Sequence, residues 1–161
     1  MVRKSRDSIE RQDIDLVLEA IEARKNAYAP YSNFAVGVAL ETKDGRVFRG
    51  ANVENASYGV TECAERVAVY KAVTDGAREF KRIAIVTGTK NPTPPCGSCQ
   101  QVIREFDREG ECKIILATID PNLPANPPQI IKTYQLRELA PIVFTASNIE
   151  PDPKLQKKGG S

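Results

Sequence analysis

Cys63, Cys96 and Cys99, with Glu65 two residues beyond the first of them, are the side chains whose types and spacing can do chemistry together. Cys96 and Cys99 are three apart, so on a helical turn they face the same way and can share one metal ion with a ligand from elsewhere. The sequence places Cys63 at the start of one helix and the pair at the start of another, where free amides and the macrodipole favour thiolate over thiol. Zinc is the natural guest, because it takes thiolates in tetrahedral geometry and needs no redox partner. Three protein ligands leave a fourth position for water, and zinc lowers the pKa of such a water from about 15.7 toward about 7. Hydrolysis of an amidine also needs a positioned carboxylate to move protons. Glu65, in Cys63-Ala64-Glu65-Arg66, is the candidate.

Composition narrows the alternatives. The chain contains no histidine, which removes Ser-His-Asp and Cys-His nucleophiles, H-E-x-x-H zinc sites and His-rich iron or copper sites. Any metal must be held by Cys, Asp or Glu. The fourth cysteine, Cys112, could close a structural four-thiolate site, but it begins the alternation Cys112, Ile114, Leu116 and reads better as core filler on one strand face. Formal charges nearly cancel at +2, with no internal basic block, which argues against a nucleic-acid partner. No apolar run approaches the roughly 20 residues needed to span a membrane. The expectation is a cytoplasmic protein with no membrane partner, folded as a single domain over 1–161 with mobile polar tails at about 1–11 and 151–161.

The elements that must position these residues follow from periodicity and turn chemistry. Ile14, Val17, Leu18 and Ile21 predict an amphipathic helix over Asp13–Tyr28, stopped by Pro30. Two β-prone runs, Phe34–Thr42 and Arg46–Val53, flank Lys43-Asp44-Gly45 and should form a hairpin. A helix over Thr61–Asp75 ends at Gly76. A strand over Arg82–Thr87 and a proline-rich loop, Asn91–Pro95, lead to Cys96 and a helix over Gln101–Phe106. A strand over Lys113–Thr118, a polar loop over Pro121–Pro128, a short strand over Ile130–Thr133 and a helical turn over Leu136–Leu139 complete the pattern. The fold class is α/β, a mixed sheet with helices on its faces in three layers.

Four segments together resemble a known family. Tyr28-Ala29-Pro30-Tyr31-Ser32-Asn33-Phe34-Ala35-Val36-Gly37, Gly50-Ala51-Asn52-Val53-Glu54-Asn55-Ala56-Ser57-Tyr58, Cys63-Ala64-Glu65-Arg66 and Pro95-Cys96-Gly97-Ser98-Cys99 are similar, in order and spacing, to the small homotetrameric zinc-dependent cytidine deaminases. The three-thiolate zinc site, non-ligand Glu and P-C-x-x-C segment are features of zinc nucleobase deaminases generally. The resemblance spans about Asp13 to Phe144. It implies one Zn2+ per subunit on Cys63, Cys96 and Cys99, with Glu65 as proton carrier. It also implies a pyrimidine nucleoside bound by Phe34, Asn52, Glu54, Ala64, Tyr58 and Phe144, with Asn52 and Glu54 on the ribose hydroxyls and Phe34 and Phe144 flanking the base. The reaction implied is hydrolysis of cytidine or deoxycytidine to the uracil nucleoside and ammonia, in pyrimidine salvage, by a homotetramer with sites between subunits.

The chain departs from the family in places. Cys99-Gln100-Gln101 stands where Cys-Arg-Gln is common, so one cation near the thiolates is missing. Three thiolates leave a zinc site net negative, and compensation falls to Arg66 and the two helix starts. The approach at Pro92–Pro95 and the loop at Pro121–Pro128 look long for the family and bear on substrate range. From another class, the rival is a zinc-stabilised binding module in which the cysteines only hold the fold. Among deaminases it is an enzyme acting on a cytosine-containing antibiotic, against which Asn52-Val53-Glu54-Asn55 argues for an ordinary ribose.

Overall fold

The hairpin forms where the Asp-Gly turn calls for it. In the computed structural model, which describes residues 10–120, 122 and 128–149, the amide of Thr42 donates to Arg46 O (2.9 Å). Gly45 takes φ +87°, a shape that costs other L residues strain. The turn joins β1 (Val36–Thr42) to β2 (Val47–Ala51), antiparallel with Leu40 opposite Phe48. Three further strands, β3 (Phe80–Thr87), β4 (Lys113–Ile119) and β5 (Pro128–Gln135), complete a sheet in the order β2-β1-β3-β4-β5. The central pair β3/β4 is parallel and its outer neighbours are antiparallel.

Helices cover both faces, which gives the expected three layers. On one face lies α1 (Arg11–Arg24), with Leu16, Val17, Ala20 and Ile21 packed on Ala84, Val86, Ile115 and Ala117. On the other lie α2 (Ala64–Thr74) and α3 (Gly97–Glu105), over Ile83, Ile85, Ile114 and Leu116. Alternate residues of β3 and β4 thus serve opposite cores, as the pleat requires, and both strands read as nearly continuous apolar runs. A short α4 (Leu136–Leu139) follows β5. Gly50 lets the hairpin approach α2 closely: a Cβ there would lie 2.2 Å from Ala64 O and 2.6 Å from Ala68 N.

Several expectations need correction. The α1 stripe is rotated from the expected one: Leu16 and Ala20 are buried with Val17 and Ile21, while Ile14 and Leu18 are 40% and 49% exposed. The helix runs Arg11–Arg24 instead of Asp13–Tyr28, because Tyr28 pairs with Val53 in an isolated parallel bridge. The helix expected from Thr61 begins at Ala64, since Glu62 bridges to Val53 through two 2.9 Å hydrogen bonds and leaves Cys63 as N-cap. Conversely, α3 begins at Gly97, four residues before the expected Gln101. The strand expected at Ile130–Thr133 extends over Pro128–Gln135, because antiparallel pairing with β4 carries it further than its polar edge pattern suggests. Glu10 and Arg11, expected in a tail, are the N-cap and first residue of α1. Residues 1–9 and 150–161, and the loop at 121 and 123–127, lie outside the described residues.

At the end of the sheet where β3 and β4 begin, a buried carboxylate is neutralised by two cations. Asp13 is fully buried, accepting from Arg82 Nη1 (3.0 Å) and Lys113 Nζ (2.6 Å). Arg82 also pairs with Glu41, which Lys81 reaches as well. Burial alone would raise Glu41, but hydrogen bonds and charge from Arg82 and Lys81 hold it below the usual carboxylate range.

Candidate active site

At the opposite end, two helices start side by side. Cys63 is the N-cap of α2 and Cys96 the N-cap of α3, and Cys99 lies in the first turn of α3. The three Sγ atoms lie within 4.8 Å of one another, the one such cluster of potential metal ligands found among the described residues. Cys63 and Cys96 are 3.9 Å apart and Cys96 and Cys99 3.4 Å. Tetrahedral zinc with bonds of about 2.3 Å sets its sulfurs about 3.8 Å apart, so these spacings fit the ion. Cys112 is buried in the core with Ile114 and Leu116 and lies outside the cluster, as its strand alternation predicts.

The sulfurs do not ionise alike on their own. Hydrogen bonding from Cys99, then the Arg66 guanidinium, brings the Cys63 thiol down to about 5 against the effect of burial. Cys99 is pushed strongly upward by its hydrogen bond to Cys63, by burial and by the neighbouring Glu65 and Cys63 charges. Three thiolates in one place need a cation, and a divalent ion supplies it. Arg66 Nη2 lies 3.8 Å from Cys63 Sγ and also donates to Thr61 O at 3.2 Å. Its Nε is 3.2 Å from Glu62 Oε2. Gln100, in place of a cation, donates to Pro95 O (2.8 Å) and fastens the segment that delivers Cys96.

Glu65 sits in the first turn of α2 and is 7% exposed. Burial, reinforced by the adjacent Cys63 charge, raises its pKa to about 7. A carboxyl poised there can both accept and return a proton near neutrality.

Cys63, Ala64, Glu65 and Cys96 line a cavity of about 330 Å³ together with Phe34, Asn52 and Glu54. Seven of the residues expected at the site therefore share one space. Asn52 Oδ1 accepts from Val36 N and Nδ2 donates to Phe34 O, both at 2.8 Å. The amide thus retains one donor hydrogen and one lone pair for a ligand. Glu54 accepts from the amides of Tyr31 (2.9 Å) and Ser32 (3.2 Å) and from the Ser32 hydroxyl. These bonds, the Ser32 hydroxyl foremost, hold its pKa down.

Tyr58 and Phe144 stand apart from this chain's own cavity. Tyr58 is 76% exposed; its ring meets Tyr31 edge-on at 6.1 Å in an adjoining hollow that shares Ser32, Glu54 and Thr61. Phe144 is 60% exposed beside α3, where its carbonyl accepts from Gln101 Nε2. The cavity is also lined by Ile85 and Thr87 on β3, which no motif singles out, and by Thr93 and Pro94 of the Pro92–Pro95 approach that the sequence ties to substrate range. Alternation along β3 could have found the first two. A larger groove, about 690 Å³, opens at the other end of the sheet, but its Lys43, Arg78, Glu79, Glu105 and Glu111 mix both signs without converging on a reactive group.

A thiolate metal centre next to a buried acid with a near-neutral pKa defines a class, the zinc enzymes that activate water for hydrolysis. Residues 10–114 match the family described as the cytidine and deoxycytidylate deaminase zinc-binding region, and the chain belongs to that family. It is 47% identical over 134 residues to a cytidine deaminase of Halalkalibacterium halodurans, covering 83% of this chain and 95% of the relative. Among solved structures, a cytidine deaminase from Burkholderia pseudomallei superposes with TM-score 0.72 and 40% identity, covering 84% of this chain and all of the other. The cytidine deaminase of Mycobacterium tuberculosis gives TM-score 0.66 at 37% identity, covering 81% and 95%.

Proposed function

We propose that this chain, as a single deaminase domain, hydrolyses cytidine, deoxycytidine or both, giving the uracil nucleoside and ammonia. The observation that carries the reading is the cluster of three sulfurs with Glu65 beside it, inside a cavity of about 330 Å³. Zinc held by Cys63, Cys96 and Cys99 would supply a water acidic enough to react near neutrality. Glu65 would accept a proton from the attacking water and deliver it to ring N3 as the water oxygen bonds to C4, then pass the remaining hydroxyl proton to the amine nitrogen as the C4–N4 bond breaks and ammonia leaves. Its pKa near 7 suits both directions of transfer. Arg66 offsets the thiolate charge from 3.8 Å. Phe34 and Ala64 wall the base, and Asn52 and Glu54 meet the sugar hydroxyls with their remaining hydrogen-bonding capacity.

Tyr58 and Phe144 reach a neighbouring subunit's cavity in a homotetramer. Their exposure, with that of Val60 (61%) and Ile142 (94%), supports this assembly, and light scattering tests it against a monomer. No helix among the described residues is long and apolar enough to cross a membrane, in keeping with a cytoplasmic salvage enzyme. An ultraviolet assay with cytidine, deoxycytidine, cytosine and a short single-stranded oligonucleotide tests the reaction. Turnover of the nucleosides alone is expected; ammonia from none of the four overturns the proposal.

A further inference from the structure

The loop between β3 and Cys96 contains a relay of three threonine hydroxyls whose protons can be counted. Thr89 Oγ1 donates to the carbonyl of Asn91 at 2.8 Å. It also lies 2.7 Å from Thr87 Oγ1 and 3.2 Å from Thr93 Oγ1. A hydroxyl carries one hydrogen and two lone pairs. With its hydrogen on Asn91, Thr89 must accept from both other threonines, so the protons of Thr87 and Thr93 both point into the relay. Thr87 and Thr93 line the cavity, whereas Thr89 does not. Their oxygens therefore have lone pairs, and no proton, left for a ligand.

This wall belongs to the same stretch of chain as Cys96. Of the cavity's other polar lining, Ser32 precedes β1, Asn52 and Glu54 follow β2, and Thr61, Glu62 and Glu65 lie just before α2 or in its first turn, beside Cys63. Resting on the deaminase reading above, we propose that Thr87 and Thr93 form an acceptor-only wall that favours the amine-bearing base over its carbonyl-bearing product, with Thr89 as the positioning residue. Cytosine presents N–H donors at C4; uracil presents an oxygen there, whose lone pairs would face those of the wall. A buried acceptor facing another acceptor is penalised, which gives discrimination without any charged residue.

The test is the ratio of the inhibition constant of uridine to the KM of cytidine, measured on zinc-loaded protein. Thr87→Val with Thr93→Val removes both acceptors while keeping shape. Thr89→Val instead releases the two protons toward the cavity. Each change should lower the ratio about 3- to 10-fold, the scale of one or two neutral hydrogen bonds. Thr93→Val alone, on the loop, should lower it less and serves if the double variant fails to fold. A relay that only braces the loop would weaken both ligands together, and an unchanged ratio overturns the proposal. Deoxycytidine with deoxyuridine should give the same fold-change; an effect that follows the sugar also overturns it. Failure of the deaminase reading is separately visible, because the unaltered protein would then release no ammonia from cytidine.

Discussion

The two ends of the central sheet bury ionisable groups on opposite principles. Where β3 and β4 begin, Asp13 is enclosed with Arg82 and Lys113 as partners. Where β3 ends, three sulfurs and Glu65 gather with Arg66 as their nearby cation. The first arrangement satisfies its charges within the chain and fixes a helix to two strands. The second leaves a thiol strongly raised and a carboxyl near 7, a state that a metal and a substrate would relieve. Buried charge neutralised internally is structural, whereas buried charge awaiting an outside partner marks the site.

The most severe way to break this comparison is at Glu65. Glu65→Gln should reduce turnover by about 10²–10⁴-fold while metal analysis finds zinc unchanged; retained turnover would move the proton transfer elsewhere. At the other end, Asp13→Asn leaves Arg82 and Lys113 with no carboxylate between them. It should cost about 3–5 kcal/mol in urea unfolding, with the kcat of the folded fraction preserved. A comparable kcat loss would show that the two ends are not independent.

The third prediction concerns the sign of the pH dependence. Glu65 is raised from 4.5 to about 7 in the fold, so folding holds its proton more tightly than the unfolded chain does. Its contribution is fully present below about 4.5 and lost as pH rises to about 7. Zinc-free Glu65→Gln should therefore be more stable than zinc-free parent at pH 8, by about 3 kcal/mol, with no advantage at pH 4. Thermal melts at the two pH values check this, and a constant offset would refute it.

Arg66→Gln sharpens the site's half of the contrast. Removing the cation 3.8 Å from Cys63 should move the acid limb of the pH–rate profile upward by about one unit. An unmoved limb would mean that the helix starts and the metal suffice. The smallest effect belongs to Glu41, whose lowered pKa reverses the sign found at Glu65. Its stabilisation is present above about 4.5 and lost as pH falls through its folded value. Glu41→Gln should cost about 1 kcal/mol at pH 7, and the two proteins should converge in acid.

Legibility in the sequence follows the same division. That three sulfurs gather with Glu65 nearby was legible from cysteines at two helix starts, one pair three apart and one two residues from an acid, together with the resemblance of the surrounding segments. The hairpin, the three layers and the buried face through Cys112 were legible from turn chemistry and alternation. Asp13 was not, since its partners lie 69 and 100 residues away and local periodicity cannot see them. That same burial rotates α1, bringing Leu16 inward and leaving Ile14 and Leu18 outside. The early start of α3 was missed because Gly97 and Ser98 are poor helix formers, and the helix is set by its packing and by its place after Pro95. The Pro92–Pro95 approach is visible in the sequence, but the pairing of Thr93 with Thr87 through Thr89 is not, because a threonine in a strand or a proline-rich loop is ordinary until the hydroxyl protons are counted.

The hundred-residue span between Asp13 and Lys113 also orders events at the ribosome. Every sulfur of the cluster, Glu65 and Arg66 leave the tunnel before Lys113 does. The helices that carry those sulfurs nevertheless rest on Ile114 and Leu116, which follow Lys113 in the chain. Both ends therefore wait on the synthesis of β4, one for a cation and the other for an apolar floor.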